Sequence, residues 1–193
     1  MQYVMTPASS KIEPFVWWEG AFTPQELDWL QERARNAKQD AYVGDASGSG
    51  VHKDIRRSQI SWLENNPESI WVFRKLSEIG AKLNAQHYHF DLSGFGEPLQ
   101  MTNYNQSEHG MYGWHQDFGG GISRKLSMVV QLADPSEYEG GNLQIMSGSN
   151  PLTVRKQRGL IAVFPSYAVH QVTPVTHGSR QSLVAWISGA PFR

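Results

Sequence analysis

The chain has 193 residues, no cysteine and a formal net charge of −1. A chain of this length suits one domain, here residues 1–193, with a substantial buried core. The absence of cysteine excludes disulfides, thiolate zinc sites, iron–sulfur clusters and cysteine nucleophiles, so any metal must be held by nitrogen and oxygen. The near-neutral charge provides no basic field for nucleic acid, which we therefore do not expect as a partner.

The sequence contains neither a secretory leader nor a run of the ~20 apolar residues that a membrane-spanning helix needs. We therefore expect a soluble, cytoplasmic protein that has no membrane partner. The oligomeric state is left open by the sequence.

The first half of the chain predicts two helices. Thr23, Pro24 and Glu26 match a capping box with proline at the first helical position. The helix that follows is expected to end near Gln39. Asn66–Pro67 marks the start of the second helix, and both helices carry apolar residues at helical spacing, so each is expected to bury one face. The apolar stripe of the second helix consists of Ile70, Phe73, Leu76, Ile79 and Leu83.

Residues 44–50 consist of small and polar residues, mostly glycine and serine, and predict an irregular, mobile loop. This loop is either an ordinary surface turn or a lid over a functional site. The segment Arg57–Leu63 behind it alternates enough to predict a strand. Arg56 and Arg57 either contact a substrate or belong to a solvated face. Because aromatic rings bury large areas, core positions are predicted for five tryptophans: Trp17, Trp18, Trp29, Trp62 and Trp71.

From about residue 87 onward, short apolar runs alternate with Gly, Pro, Asn and Asp, which predicts eight strands. Eight short strands at this spacing indicate a closed sandwich or a jelly roll. Because the helices precede the strands, we expect a mainly β, α+β fold in which an N-terminal helical support (about 1–86) covers one face of a β core (about 87–193). The predicted strands are His87–Leu92, Leu99–Asn105, Tyr112–Asp117, Lys125–Leu132, Asn142–Met146, Leu160–Pro165, His170–Pro174 and Gln181–Ser188.

The segment Tyr112–Asp117 contains the first candidate metal ligands. On an extended strand His115 and Asp117 point to the same face, so both can reach one cation. His170 is the best third candidate, because it follows the apolar run Leu160–Pro165 at a place where a strand would end. Two histidines and one carboxylate on one face of a metal are typical of non-haem iron(II) oxygenases. The His-x-Asp pattern alone also occurs by chance in many chains.

Arg180 opens the last apolar strand and shares one face of it with Ser182. The apolar residues Leu183, Ala185 and Ile187 take the opposite face. An arginine that begins a strand inside a barrel needs an anion, and its planar guanidinium matches a carboxylate. Either Arg180 pairs with an aspartate or glutamate at the surface, or it binds a carboxylate inside the fold.

A composite pattern spans the second half of the chain and consists of Tyr104, Tyr112, His115-x-Asp117, His170, Arg180-x-Ser182 and Trp186. It resembles the iron(II)- and 2-oxoglutarate-dependent dioxygenases, and specifically their prolyl 4-hydroxylase branch. The segments Lys125–Ser127, Glu139–Leu143 and Phe164–Pro165 resemble the same branch. The resemblance covers about residues 98–190, and the N-terminal half is only loosely similar.

The resemblance implies a role for each position of the pattern. His115, Asp117 and His170 correspond to the iron ligands. Arg180 corresponds to the residue that anchors the distal carboxylate of 2-oxoglutarate, with Ser182 as additional help.

Three aromatic residues of the pattern also receive roles from the resemblance. Tyr104 is similar to the tyrosine that hydrogen-bonds the cosubstrate in prolyl hydroxylases. Tyr112 is the second tyrosine of the pattern and faces either the cosubstrate or the substrate. Trp186 resembles the aromatic wall near the metal. The chain departs from some relatives at Val129 and Val130, where those relatives place a further cosubstrate-binding tyrosine.

The resemblance implies a double-stranded β-helix fold and a dioxygenase of the EC 1.14.11 type. Its cofactors would be iron(II), 2-oxoglutarate and O2, with ascorbate as an accompanying reductant, and 2-oxoglutarate would be converted to succinate and CO2. The branch implies peptidyl-prolyl 4-hydroxylation, similar to that of procollagen-proline 4-dioxygenases. The expected partner is a protein or peptide that contains proline.

Two alternatives stay open. The same iron centre would support hydroxylation of a free amino acid or another small molecule. From a different class, the chain could be a non-catalytic jelly-roll module that holds a metal or a ligand. Nucleic-acid demethylases of the superfamily usually carry a second arginine at the position that Trp186 occupies here, which disfavours nucleic acid as a substrate.

Overall fold

The computed structural model describes residues 13–45, 48–118, 121 and 123–191. Within them the chain forms two α-helices, α1 (Pro24–Arg35) and α2 (Ile70–Leu83). Neither helix is long and apolar enough to cross a bilayer. The strands of the described residues are β1 (Val16–Trp18), β2 (Gln39–Asp40), β3 (Val43–Asp45), β4 (Gly48–Gly50), β5 (Arg56–Arg57), β6 (Gln59–Leu63), β7 (Leu92–Phe95), β8 (Leu99–Asn105), β9 (Met111–His115), β10 (Arg124–Gln131), β11 (Tyr138–Gly140), β12 (Leu143–Ser147), β13 (Asn150–Thr153), β14 (Ile161–Pro165), β15 (His170–Val172) and β16 (Val175–Gly189).

Two antiparallel sheets form the body of the protein. The larger sheet has the strand order β1-β14-β10-β16-β8-β6-β2, with β7 and β11 also paired to β16, and the smaller sheet has the order β13-β12-β15-β9-β5. Apolar residues of β8, β10 and β14 meet those of β12 and β15 in one buried cluster between the sheets. The predicted mainly β, jelly-roll fold is confirmed.

The two helices cover the outer face of the larger sheet. Apolar residues of α1 and α2 share one buried cluster with Leu183, Ala185 and Ile187 of β16, so this face of β16 points away from the space between the sheets. Since side chains alternate along a strand, Arg180 and Ser182 point into that space. The predicted packing of the helices on one face of the β core is confirmed.

The start of α1 follows the predicted capping box. The backbone N–H of Thr23 donates to Oε2 of Glu26 (2.8 Å), and the N–H of Glu26 donates to Oγ1 of Thr23 (3.3 Å). The helix ends at Arg35 and not near Gln39, because Gln39 and Asp40 pair with β6 as the edge strand β2.

The predicted division of the chain near residue 87 differs from the structure. The region of about 1–86 is more than a helical support, since β1, β2 and β6 belong to the larger sheet and β5 to the smaller one. β6 pairs with β8 along its whole length, from Gln59 to Leu63. It thereby satisfies backbone groups of β8 that would otherwise form an open edge.

Residues 44–50 were predicted to lack regular structure, and this is wrong for the described part. Val43–Asp45 pairs with Gly48–Gly50 as a short antiparallel hairpin. Glycine and serine offer little side-chain surface, but their backbone groups still pair in a ladder. Residues 46–47 lie outside the described residues, and the lid function stays a prediction.

The predicted strand His87–Leu92 is also wrong. The chain continues from α2 into a π-helical turn, Asn84–Tyr88, and His89 then adopts a left-handed conformation with φ of 56°. The side chain of Asn84 donates to the carbonyl of Phe90 and accepts from its N–H, both at 2.9 Å. This local side-chain bonding stabilises the turn, so strand pairing starts only at β7.

The tryptophans divide into two groups. Trp18, Trp29 and Trp71 pack against the core as predicted. Trp17 and Trp62 are 50% and 42% exposed, so their predicted core positions are wrong. Trp62 lies on β6 beyond the two residues that pair with β2, and its ring centroid is 6.4 Å from that of Trp186.

A glycine fixes the pairing of β11 with the start of β16. Gly140 has a positive φ of 69°, and a Cβ at this position would clash with the carbonyl oxygen of Pro174. Gly148, in the turn between β12 and β13, has a similar φ of 61° but no atom within 4 Å of the Cβ position. Both positions therefore favour glycine because of their positive φ, but only Gly140 also lacks the space for a Cβ atom.

We predict that Gly140→Ala lowers the free energy of unfolding by about 3–5 kcal/mol, because backbone strain adds to the clash. The matched control, Gly148→Ala, is expected to cost about 1–2 kcal/mol from the left-handed backbone alone. Urea unfolding followed by circular dichroism measures both losses. Equal losses in the two variants would show that the backbone near Pro174 relaxes without cost.

Candidate metal centre

Strand pairing brings the two candidate histidines together. His115 ends β9 and His170 begins β15, and the two residues are direct partners in the antiparallel ladder. Asp117 lies two residues beyond the end of β9, where its N–H donates to the carbonyl of Ser166 (2.9 Å). One ligand atom from each of the three side chains lies within 4.8 Å of the other two. The structure therefore brings together the three residues that the sequence selected.

Backbone carbonyls orient both imidazole rings. Nδ1 of His115 is 2.8 Å from the oxygen of Gly113, and Nδ1 of His170 is 2.9 Å from the oxygen of Ala168. A carbonyl oxygen only accepts, so we assign the ring proton to Nδ1 in both residues. The two Nε2 lone pairs then face the carboxylate of Asp117, at 3.7 and 3.5 Å from its oxygens. This is the arrangement in which two histidines and a carboxylate bind one cation.

Burial and neighbouring groups set the charges of this centre. Burial lowers the pKa of His115 to about 3, and the nearby His170 adds to the effect, so the imidazole of His115 is neutral at pH 7. Burial alone would raise the pKa of Asp117, but His170, His115 and the hydroxyl of Ser127 lower it overall. The centre thus offers a neutral imidazole and an ionised carboxylate, which are the forms that bind divalent metals.

Ser127 holds the carboxylate of Asp117 and is itself in contact with Ser166. Oγ of Ser127 donates to Oδ2 of Asp117 (2.7 Å), and it is 3.1 Å from Oγ of Ser166. Both serines are fully buried. Such partners fix the orientation of a ligand and leave its second oxygen available to a metal.

Arg180 is a buried cation without an anionic partner. Its side chain is 1% exposed. Nη2 donates to Oε1 of Gln131 (3.0 Å) and Nη1 donates to Oγ of Ser182 (3.3 Å), while Nε has no hydrogen-bond partner among the described residues. In the described part of the chain, no carboxylate lies within 4.0 Å of the guanidinium. The alternative of a surface ion pair is therefore wrong, and the site suits a carboxylate ligand.

One cavity of about 360 Å³ contains both the histidine–aspartate centre and Arg180 in its walls. Along β16 the inward-facing residues run from Arg180 through Ser182 and Val184 to Trp186. Trp186 is the cross-strand partner of Ser127, which holds Asp117, so this end of β16 lies at the metal centre. Four apolar side chains also line the cavity: Val129, Leu143, Val172 and Val184.

Both tyrosines of the sequence pattern line this cavity. Tyr104 is 4% exposed, and its ring centroid lies 5.4 Å from Cζ of Arg180. The ring of Tyr112 stacks on His115, with centroids 3.4 Å apart and an interplanar angle of 14°. Burial raises the pKa of Tyr112 to about 12, so its phenol is protonated at neutral pH. Tyr104 therefore lies at the Arg180 end and Tyr112 at the metal end.

Trp186 lies under a second arginine of the cavity. Cζ of Arg124 is 3.9 Å from the centroid of the indole ring of Trp186. Nε and Nη2 of Arg124 donate to the two carboxylate oxygens of Glu97, at 2.7 and 2.6 Å. Unlike Arg180, Arg124 therefore has its own counter-ion within the fold. Trp186 and Asp117 both line the cavity.

Sequence reasoning left Arg56 undecided and missed Gln131, which accepts a hydrogen bond from Arg180. Arg56 lines the cavity and is 7% exposed, so the solvated-face interpretation is wrong for this residue. On β10 the resemblance pointed instead to Val129 and Val130, of which Val129 lines the cavity and Val130 belongs to the outer core. Alternation along β10 connects Ser127, Val129 and Gln131, so the period of the strand was the signal that could have identified Gln131.

The rest of the described surface offers no comparable centre. A larger groove of about 610 Å³ lies between α2 and β7, but no three metal-ligating side chains of the described residues converge there. The five histidines outside the cluster are exposed: His52, His87, His89, His109 and His177.

The sequence of the second half matches a known family. Residues 99–188 match the family model described as the 2OG-Fe(II) oxygenase superfamily. A PKHD-type hydroxylase from Sphingopyxis alaskensis is 31% identical over 110 residues, which cover 54% of this chain and 50% of that protein. The chain thus spans about half the length of the curated relatives that it matches.

Solved structures show the same fold. A prolyl hydroxylase from Trichoplax adhaerens, in complex with a peptide fragment of the hypoxia inducible factor oxygen degradation domain, is similar with a TM-score of 0.72 and 15% identity, covering 91% of this chain and 84% of that chain. A Pseudomonas putida prolyl-4-hydroxylase is similar with a TM-score of 0.69 and 19% identity, covering 92% and 94%. Residues 99–188, which contain the metal centre and Arg180, are therefore similar to the 2OG-Fe(II) oxygenase superfamily, and the chain has the fold of these two prolyl hydroxylases.

Proposed function

We propose that this protein is an iron(II)- and 2-oxoglutarate-dependent dioxygenase that hydroxylates proline in a protein or peptide and releases succinate and CO2. The observation that carries the proposal is the presence of two complementary sites in one cavity. One site is the cluster of His115, Asp117 and His170, and the other is the buried, uncompensated guanidinium of Arg180.

The three clustered side chains are the proposed metal ligands. Their donor set of two imidazole nitrogens and one carboxylate oxygen fits iron(II) and leaves coordination positions open. Iron(II) would supply the oxygen chemistry, which no protein side chain provides. The hydrogen bonds of Gly113 and Ala168 hold the histidine rings before any metal arrives.

Arg180 is the proposed anchor for the distal carboxylate of 2-oxoglutarate. Gln131 and Ser182 orient its guanidinium, and Nε is left to donate to the ligand. The hydroxyl of Tyr104, on the strand next to Arg180, is proposed to donate to the same carboxylate. An ion pair between Arg180 and this carboxylate would be strong, because little water competes for either partner in an apolar cavity.

The remaining cavity residues are proposed to exclude water and to position the substrate. Valine and leucine side chains surround the space between the two sites, which limits side reactions with solvent. Trp186 and Tyr112 line the metal end, and Tyr112 is proposed to face the substrate.

Two observations support proline as the proposed target: the similarity of the fold to prolyl hydroxylases and the exposed aromatic residues that line the cavity. The two similar solved structures are prolyl hydroxylases, and one of them holds a peptide. Three aromatic side chains line the cavity and are also strongly exposed, namely Tyr42 (52%), Trp62 (42%) and Phe118 (51%). Exposed aromatic rings are suited to bind an extended peptide with a rigid proline ring.

A second candidate function is hydroxylation of a free amino acid or another small acid. The buried guanidinium of Arg56 favours it, because this cation also faces the cavity and a small acid would bring a carboxylate to it. The non-catalytic alternative has no comparable support, since a binding module needs no separate sites for a metal and for a dicarboxylate.

We predict that the purified protein forms succinate from 2-oxoglutarate when iron(II), O2 and ascorbate are supplied with a proline-containing peptide. His115→Ala or Asp117→Ala should reduce succinate formation at least ~100-fold, because each removes a metal ligand. Mass spectrometry quantifies succinate and locates the oxygen gained by the peptide. His109→Ala is the matched control, since His109 is exposed and outside the cluster. If the wild-type protein consumes no 2-oxoglutarate, the binding-module alternative is favoured.

Arg180→Ala is predicted to weaken 2-oxoglutarate binding ~10- to 100-fold, which is the usual loss for one charged hydrogen-bonding partner. The affinity for the metal should be unchanged, because Arg180 is not part of the ligand cluster. Anaerobic calorimetry with iron(II) measures both affinities. Arg155→Ala removes an arginine whose side chain is 58% exposed and pairs with Glu19, so it serves as the control. Wild-type affinity in Arg180→Ala would contradict the role of this residue.

The substrate class is decided by a matched panel of free L-proline and blocked peptides with proline in the centre. Peptidyl-prolyl hydroxylation predicts turnover of the peptides and little of the free amino acid. The small-molecule alternative predicts the reverse order. The rates are compared as kcat/KM, because this ratio measures discrimination between competing substrates.

A further inference from the structure

Arg56 places a second guanidinium in the cavity, at the metal end. It lies on β5, directly opposite Tyr112 of β9. Its Nε donates to Oγ of Ser58 (2.9 Å), and its Cζ lies 4.5 Å from the ring centroid of Tyr112. In the described part of the chain, its two terminal nitrogens have no hydrogen-bond acceptor, and no carboxylate lies within 4.0 Å.

The burial of Arg56 makes this absence of a partner costly. The residue is 7% exposed, so most of its contact with water is lost. Removing a charged group from water without an opposite charge is unfavourable, and a stacking contact with one phenol compensates only part of that cost. A cation in this state is ready to bind an anion that enters the cavity.

The other charges of the cavity leave Arg56 as the group without a counter-ion. Arg124 is neutralised by Glu97 through two hydrogen bonds. In the proposed function, Arg180 pairs with the distal carboxylate of 2-oxoglutarate, while Asp117 and the other carboxylate of 2-oxoglutarate neutralise the two charges of iron(II). Neither ligand therefore supplies an anion for Arg56.

The stacking contacts of Arg56 and Tyr112 indicate how close such an anion would be to the metal centre. The guanidinium of Arg56 covers Tyr112 at 4.5 Å, and Tyr112 covers the candidate ligand His115 at 3.4 Å. Only one aromatic ring separates the cation from the imidazole. A group bound to Arg56 would thus lie next to Tyr112, at the metal end of the cavity.

We propose that Arg56 binds a carboxylate of the primary substrate, so that this oxygenase selects substrates with an anionic group near the hydroxylated carbon. The inference rests on the proposed function and names a property of its substrate. A carboxylate of this kind has two sources. It is either a free α-carboxylate on the target residue or the side chain of an aspartate next to it in a peptide.

The test compares carboxylate probes with their neutral amides. The first pair is N-acetyl-L-proline and N-acetyl-L-prolinamide, and the second pair is the blocked peptides acetyl-Asp-Pro-Gly-amide and acetyl-Asn-Pro-Gly-amide. Binding to the full chain, loaded with Mn(II) and 2-oxoglutarate, is followed by tryptophan fluorescence, because Trp62 and Trp186 line the cavity. This readout does not require turnover.

In the wild-type protein, the carboxylate member of at least one pair is expected to bind at least ~10-fold more tightly than its amide. The pair that shows the preference identifies the source of the carboxylate. Arg56→Gln should remove the preference by weakening only the carboxylate member, and Arg56→Lys should restore part of it because the charge returns without the planar fork. Arg57→Gln is the matched control, since Arg57 donates to the carbonyls of His109 and Lys53. It should keep the wild-type preference.

Three outcomes overturn the inference. The first is equal binding, or no binding, of both members of both pairs to the wild-type protein. The second is an equal loss for carboxylate and amide in Arg56→Gln, which would assign Arg56 to the packing of Tyr112. The third is a loss of 2-oxoglutarate affinity in Arg56→Gln as large as the loss for the probe, which would assign Arg56 to the cosubstrate. Failure of the proposed function is recognised separately, because the wild-type protein would then not bind 2-oxoglutarate at all.

Discussion

The direct pairing of His115 with His170 is the constraint on which the site depends. These residues are far apart in the chain, and a metal centre exists only if β9 and β15 pair in this register. A shift by one residue would turn one imidazole to the opposite face of the smaller sheet. The backbone ladder therefore sets the geometry of the centre, and the carbonyls of Gly113 and Ala168 then fix the rotation of each ring.

The larger sheet holds the charged side chain of Arg180 in an otherwise apolar interior. Alternation along β16 separates Leu183 and Ala185, which pack under the helices, from Arg180 and Ser182, which face the cavity. Gln131 and Ser182 satisfy part of the guanidinium but add no charge. The fold thus tolerates an arginine whose Nε has no partner among the described residues, and a bound carboxylate would offset the free-energy cost of burying this charge.

Local patterns in the sequence predicted much of this structure but not all of it. The capping box at Thr23 and the metal cluster were found because each depends on short spacing or on side-chain chemistry that few alternatives share. The π-helical turn after α2 was missed, since it depends on how Asn84 bonds to Phe90. Gln131 and Arg56 were missed or left undecided for a related reason. Their importance comes from partners across strands, which a linear pattern does not contain.

The positions of Arg56 and Trp62 suggest how the two halves of the chain divide their functions. The family match covers residues 99–188 and includes the metal cluster and Arg180. Arg56 and Trp62 come from the preceding part, on β5 and β6, which extend the smaller and the larger sheet next to β9 and β8. Both residues line the same cavity as the metal cluster. The cavity wall can therefore vary along these outer strands while the register that builds the metal cluster stays unchanged, because side chains on β5 and β6 do not alter the β9–β15 ladder.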